Sequence, residues 1–293
     1  MEDNAIVHYT FSGVAGSSVT VTISGKECKL LKDRENQNFS KKDTLKNITS
    51  KIENAKNIAE LEKIACKTDI CDVCRLKKLN LKGAKTLLCS VVKMLYKYPI
   101  LRSYTRFIGS HQQFKKVLKS CRFSTKKVLK EFKIDKILNK NNGKLVAKLL
   151  LGVLNELLEQ ADTFIATTFY AFGLFDAVLV DEQDYSIKRY SQLLKEIVYS
   201  ERGGLYPKGC DTPESVIYHE MGHLLDYKYK FSSSTAVRKI YNSYTDNQIK
   251  KGLSEYALTD MQEFFADAFC ELQTVNNPRE IASRVGVIIK GIK

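Results

Sequence analysis

The sequence predicts an α+β protein that is mainly helical. Two short apolar runs rich in β-branched residues, VTVTI at 19–23 and AVLV at 177–180, have the length and the flanking residues of strands. Most other apolar residues recur at spacings of three and four, which is typical of helices that cover a core. With 293 residues and 44% hydrophobic side chains, the chain can form a sizeable core, in one large domain or two ordinary ones.

The first half of the chain begins with a short β-rich stretch. Glycines surround the 19–23 run, so residues 5–31 predict one or two strands with turns. The stretch SKKD at 40–43 resembles a helix N-cap, and the apolar residues after it predict an amphipathic helix to about residue 67. From there to about 138 the pattern is helical and strongly basic.

The polar stretch LNKNNGK at 138–144 is the best candidate linker, because it is polar and contains a glycine. We therefore predict a basic, mainly helical region over 1–140 and a second domain over 141–293. The chain's net charge of +14 comes from residues 1–150, whereas the remainder has a slight excess of acids. The basic half is either a solvated, lysine-coated helical face or a contact for an anionic partner such as nucleic acid, an acidic protein or a membrane surface. No nucleic-acid-binding motif accompanies the charge.

Targeting signals are not apparent in this sequence. The acidic start MEDNAIVHYT lacks the basic and apolar regions of a secretory signal. The longest uncharged apolar run, residues 163–175, is too short to cross a bilayer, so we expect no transmembrane segment. Eight cysteines without a signal indicate free thiols in a reducing compartment. These features favour a cytoplasmic protein.

The second half alternates helical and strand patterns. DTPE at 211–214 combines a capping residue, a proline in the first turn and an early acid, so it predicts the start of a helix over about 213–229. The other predicted elements are a helix opening at 145–157, a strand in 176–187, an edge strand at 203–207, a helix from 236 to about 251, and a helix within 253–269. The 203–207 stretch, GGLYP, is either an edge strand that pairs with an extended peptide or a surface loop.

The helix at 213–229 contains the motif H-E-x-x-H. His219 and His223 lie four residues apart, so both imidazoles can face one metal ion, and Glu220 is placed to act as a general base on water. Zinc peptidases use this arrangement, with two histidine ligands and a catalytic glutamate. The alternative is that the two histidines are hydrogen-bonded core residues.

A catalytic zinc site needs a third protein ligand, and the segment 253–269 offers one. Glu263 and Asp267 share a helical face, so Glu263 can bind zinc while Asp267 accepts a hydrogen bond from the ring N–H of His219. The alternative is that both acids merely solvate a helix with an aromatic apolar face.

The segments YHEMGHLLDY and EYALTDMQEFFADAF together resemble the catalytic core of the anthrax lethal factor-type zinc peptidases, and related segments occur in minor head proteins of tailed phages. The resemblance covers residues 200–275 well and 145–293 loosely. It implies a gluzincin-type, zincin-like fold in which His219, His223 and Glu263 hold the zinc. It also implies that Tyr256 hydrogen-bonds to the oxyanion or the leaving amine. Asp267 stands where the family frequently has glutamate.

We therefore predict a zinc-dependent endopeptidase that acts on a protein or peptide substrate, with the basic region localising the enzyme or presenting the substrate. The first alternative is a phage-type head-morphogenesis protein whose zincin domain has a residual or self-processing role. The second is a basic nucleic-acid-binding module with an incidental histidine pair.

Four cysteines of the first half raise the question of a second zinc. Cys71 and Cys74 have the two-residue spacing of a zinc knuckle, and Cys66 and Cys89 could complete a site with four thiolate ligands. There is only one C-x-x-C and no glycine-rich knuckle, so buried free thiols are favoured.

Overall fold

The computed structural model describes residues 7–12, 18–23, 39, 44–121, 165–169 and 176–291. The protein is α+β and mostly helical, with a small sheet, as predicted. Within residues 5–31, strands β1 (Val7–Ser12) and β2 (Ser18–Ile23) form an antiparallel hairpin.

The larger sheet has four strands: β3 (Val73–Arg75), β4 (Phe107–Ser110), β5 (Ala166–Phe169) and β6 (Ala177–Val180). Their order is β3-β4-β6-β5. The first three are parallel, and β5 runs antiparallel to β6 at the edge of the sheet. All four residues of β6 are buried, as its uninterrupted apolar run predicts.

Ten described helices accompany the sheets: α1 (Leu45–Asn54), α2 (Ile58–Lys67), α3 (Leu81–Lys97), α4 (His111–Cys121), α5 (Tyr190–Arg202), α6 (Pro213–Tyr229), α7 (Thr235–Tyr241), α8 (Asp246–Gly252), α9 (Met261–Thr274) and α10 (Glu280–Lys290). In two regions where periodicity predicts one helix, the structure has two helices. The first breaks at Ala55, after which the Asn57 side chain caps α2, and the second breaks before Thr245, which caps α8. In both regions the apolar residues keep helical spacing, but a capping side chain starts a new helix. The caps therefore explain why the two single-helix predictions are wrong.

Helix α6 lies at the centre of the structure, where it contacts α3, α9 and β5. Its residues Ile217, Met221, Leu224 and Leu225 are fully buried. Three phenylalanines of α9, at 264, 265 and 269, are also fully buried. The helical spacing of these apolar side chains thus fixes α9 against α6.

Gly222 allows the close approach of these two helices. A Cβ atom at this position would lie 3.1 Å from Phe269 Cδ1 and 3.2 Å from the Ala266 Cα. Gly222 lies between the two histidines of the H-E-x-x-H motif, so the glycine brings α9 against the part of α6 that carries them.

Several predictions concern residues outside the described structure. These are the linker at 138–144, the helix at 145–157 and most of the apolar run at 163–175, of which residues 166–169 form β5. The predicted boundary at residue 140 also lies there and stays a prediction. The four-stranded sheet combines β3 and β4 from before that position with β5 and β6 from after it. Among the helices of the described residues, none has both the length and the apolar character to cross a bilayer.

Candidate metal centre

Helix α6 begins and ends as the sequence predicts. The Thr212 side chain accepts a hydrogen bond from Ser215 N in a capping box, and Pro213 occupies the first turn. The helix ends at Lys230, whose left-handed backbone lets its N–H bond to Asp226 O. These caps set the register that places His219 and His223 on one face, one turn apart.

Helix α9 brings Glu263 to the two histidines. Asp260 caps the helix by accepting hydrogen bonds from the N–H groups of Gln262 and Glu263. Glu263 Oε2 lies 2.9 Å from His219 Nε2 and 3.3 Å from His223 Nε2. The two Nε2 atoms are 3.1 Å apart. Three potential ligand atoms from two helices therefore converge on one point.

The hydrogen bond of His219 indicates what kind of group the convergence point of the three ligand atoms requires. His219 Nδ1 lies 2.8 Å from Asp267 Oδ1 and donates its proton there, so Nε2 is the ring nitrogen that faces Glu263. Glu263 Oε2 is shielded from solvent, and the two histidine nitrogens are its close neighbours. Two imidazole nitrogens and a carboxylate oxygen facing one another need a proton or a cation between them.

The distances suit a zinc ion. Tetrahedral ligands with bonds of about 2.0–2.1 Å lie about 3.3 Å from one another, close to the three separations found here. No other group of histidine, cysteine, aspartate or glutamate side chains among the described residues converges in this way. The donor set of two imidazoles and one carboxylate also matches the ligand preferences of zinc.

The carboxylates and the histidines of the centre shift each other's pKa values in opposite directions. Burial alone would lower the pKa of His219, but its hydrogen bonds to Asp267 and Glu263 raise it well above its ordinary value. Burial alone would raise the pKa of Glu263, but its bonds to His219 and His223 hold it well below its ordinary value. Both shifts favour positive charge at the centre, which a proton or a metal cation can supply.

Glu220 lies on the β5 side of α6. It is 7% exposed, and burial raises its pKa even though His223 and His219 oppose the shift. The Thr168 side chain of β5 lies beside it and also opposes the rise in pKa. A glutamate with a raised pKa beside a metal centre is suited to accept and return a proton near neutral pH.

Tyr256 faces the same centre from a short 3-10 helix, Tyr256–Leu258. Its ring centroid lies 5.9 Å from that of His219. Burial, with the charge of Glu263 nearby, raises the pKa of its hydroxyl, so the group stays protonated and can donate a hydrogen bond.

The prediction of an edge strand at 203–207 is wrong. Gly203 ends α5, Gly204 has a positive φ of 80°, and the residues after them form a turn. The carbonyls of Gly204 and Leu205 accept hydrogen bonds from the N–H groups of Glu255 (2.8 Å) and Tyr256 (3.2 Å). This segment therefore supports the turn that carries Tyr256.

A cavity of about 420 Å³ opens onto the centre. Its wall includes residues 165–168 of the edge strand β5 and its approach, the turn at 205–207, and the candidate metal ligands. Strand β5 pairs with β6 on one side and, among the described residues, has no neighbouring strand on the other, so its outer edge can pair with an extended chain.

Ser254 is a site residue that the sequence analysis missed. It is fully buried; its hydroxyl donates a short hydrogen bond to Asp267 Oδ2 and accepts one of 2.9 Å from Ala257 N. One side chain thus joins the carboxylate that orients His219 to the turn that holds Tyr256. A serine in a loop belongs to no helical or strand pattern. Only its position two residues before Tyr256 could have indicated that Ser254 belongs to the site.

The four cysteines of the first half do not form a comparable cluster. Cys89 Sγ lies 3.5 Å from Glu53 Oε1, and burial together with Glu53 raises its pKa to about 12. Cys71 contacts both Cys66 and Cys74, and burial raises its pKa well above the ordinary value. These features agree with buried thiols; a second zinc at these cysteines stays a prediction.

Comparison of the chain with protein-family models, with curated proteins and with solved structures finds no match to any of them.

Proposed function

We propose that this protein is a zinc-dependent endopeptidase. The observation that carries the proposal is the convergence of His219 Nε2, His223 Nε2 and Glu263 Oε2 within 3.3 Å of one another, beside a buried glutamate and an open cavity. These three residues would hold the metal. Zinc bound there would act as a Lewis acid on the scissile carbonyl and would make water a stronger acid.

The residues around the centre have distinct roles in this proposal. Glu220 takes a proton from the attacking water and passes it to the leaving amine, because its raised pKa suits both transfers. Tyr256 donates a hydrogen bond to the oxygen on which negative charge develops. Asp267 fixes the tautomer and ring orientation of His219.

Strand β5 provides a place for the substrate backbone. An extended peptide that pairs with its outer edge would run past Glu220, which lies beside Thr168 of β5. The cavity contains aromatic and aliphatic groups near the turn, including Tyr206, Pro207 and Val216, which suit an apolar substrate side chain. Backbone pairing of this kind favours an internal peptide bond, as expected of an endopeptidase.

Metal content and activity test the proposal together. Protein purified without chelator should contain one zinc per chain, and His219→Ala should contain none. A screen against a mixture of denatured proteins should show cleavage by the wild type. Glu220→Gln should keep the zinc and lose cleavage, since it removes the base but no ligand.

Well-folded wild type that binds no zinc when zinc is supplied would contradict the proposal. Stoichiometric zinc with cleavage that survives Glu220→Gln would contradict the assigned roles. Zinc without cleavage of any protein, including the chain itself, would favour the head-morphogenesis alternative. An anionic partner for the basic first half stays a separate prediction.

A further inference from the structure

Two thiols lie against each other in the wall of the cavity. The sulfur atoms of Cys210 and Cys270 are 3.2 Å apart, and each residue is 2% exposed. Both are free cysteines. The separation exceeds a disulfide bond, of about 2.05 Å, by little more than 1 Å.

The two cysteines come from different segments of the chain. Cys270 belongs to α9, which is fixed by its buried phenylalanines, and its sulfur also contacts Ser215 O at 3.1 Å. Cys210 lies in the connection between α5 and α6, directly after Gly209, whose φ is 81°. A displacement of little more than 1 Å between this connection and α9 would bring the sulfurs to bonding distance.

A small oxidant can reach the pair from the cavity, since both cysteines line it together with His219 and Glu263. Among the cysteines whose side chains the structure describes, the other four, at 66, 71, 74 and 89, do not line this cavity. Oxidation at Cys210 and Cys270 would thus act on the candidate metal centre directly.

We propose that Cys210 and Cys270 form a thiol–disulfide site that is oxidised by hydrogen peroxide and that controls the candidate metal centre. Its effect on catalysis rests on the proposed function, whereas formation of the disulfide does not.

The chemistry balances with one peroxide. The Cys210 sulfur gives two electrons to the peroxide, the O–O bond breaks, and a sulfenic acid and one water form. The Cys270 sulfur then attacks the Cys210 sulfur, the S–O bond breaks, and the hydroxyl leaves as a second water with the Cys270 proton. The carbonyl oxygen of Ser215 lies 3.1 Å from the Cys270 sulfur and accepts its S–H, so Cys210 is the sulfur that attacks the peroxide first.

The disulfide would alter the turn that carries Tyr256. The connection that holds Cys210 continues from Leu205, whose carbonyl accepts the Tyr256 N–H bond. Moving this connection toward α9 narrows the cavity and shifts Tyr206 and Tyr256 relative to the metal ligands. We expect the oxidised protein to cleave more slowly and to recover when a dithiol reductant is added.

The experiment uses the full chain, purified reduced and freed of reductant. The protein is treated with hydrogen peroxide, and free thiols are blocked. It is then digested without reduction, and the peptides are identified by mass spectrometry. A linked peptide pair containing Cys210 and Cys270, two hydrogens lighter than the separate peptides, is the expected result. The pair should be absent from Cys210→Ser and present in the matched control Cys71→Ser/Cys74→Ser.

Peroxide that links other cysteines, or that takes Cys210 to a sulfinic acid without linkage, would overturn the proposal. Circular dichroism of Cys210→Ser confirms its fold, and the linkage map of the wild type stands without any variant. The linked pair in a protein without peptidase activity would support the thiol site and reject the proposed function. Peptidase activity without the linked pair, even at high peroxide, would support the proposed function and reject the thiol site.

Discussion

The histidines of α6 and the cysteines around β3 both have sequence spacings typical of metal ligands, yet their side chains are arranged differently. His219 and His223 meet a carboxylate from α9, a helix separated from α6 by two others. Cys89 instead contacts Glu53, apart from the Cys71 group, and Cys71 and Cys89 are held as neutral thiols by burial. Spacing on one element therefore identifies possible ligands only. A metal centre also needs a charged ligand side chain that reaches the same point from a second element.

The largest effect should come from breaking the convergence itself. Glu263→Ala removes the charged ligand, so the protein should lose stoichiometric zinc, as measured by elemental analysis after dialysis. The matched variant Cys89→Ala should retain one zinc per chain. The reverse result would place the zinc at the cysteines and contradict the comparison.

Tyr256→Phe tests the catalytic side of the histidine centre. Loss of one hydrogen-bond donor to the developing charge should lower kcat about 10²–10³-fold. KM and zinc content should stay close to those of the wild type, because the ring and the ligands remain. Tyr199→Phe, at an 80% exposed position, is the control. An unchanged kcat would remove Tyr256 from the mechanism.

Ser254→Ala tests the hydrogen bond to Asp267, the carboxylate that orients His219. The variant leaves Asp267 without its buried donor, so His219 is less firmly oriented, and zinc affinity should fall about 10–100-fold. Competition with a chromophoric chelator measures this. Ser254→Thr keeps the hydroxyl and should recover much of the affinity, and Ser283→Ala is a control away from the centre. Lower thermal stability with unchanged zinc affinity would reduce Ser254 to a structural role.

Gly222→Ala should affect packing, by an amount comparable to the effect of Ser254→Ala on zinc affinity. The added Cβ would press on Phe269 and Ala266, so the free energy of unfolding should fall by about 1–3 kcal/mol. Denaturant unfolding of metal-free protein measures this. Gly203→Ala is the matched control, since its Cβ would meet only Tyr199 O at 3.4 Å and Ser200 O at 3.6 Å. Equal stability of the two variants would show that α6 and α9 have room to separate.

Much of the arrangement around the histidines could be predicted because local signals specify it. The capping residues at 211–214 fix the start of α6, and the four-residue spacing of Glu263 and Asp267 places both acids on one face of α9. The assignment of Tyr256 to the site depended on the family resemblance. Its role stays a prediction, although the structure places its ring beside His219.

What the sequence could not predict depends on partners distant along the chain. The 203–207 segment has the composition of an edge strand, but its carbonyls bond to the backbone at 255–256. Ser254 and Thr168 act through Asp267 and Glu220, and no local pattern marks such contacts. The helix breaks at Ala55 and before Thr245 occur where the apolar spacing continues, so periodicity alone could not reveal them.

The separation of the two histidines from Glu263 by α7 and α8 has a thermodynamic consequence. An unfolded chain holds these side chains far apart, so a metal ion that needs all three binds the native state almost exclusively. Free zinc and folding are then linked equilibria: at a free concentration of about 100 times Kd, the native state gains about 2.7 kcal/mol. The melting temperature of this protein would therefore follow the zinc supply of its surroundings, and a chelator would act as a mild denaturant.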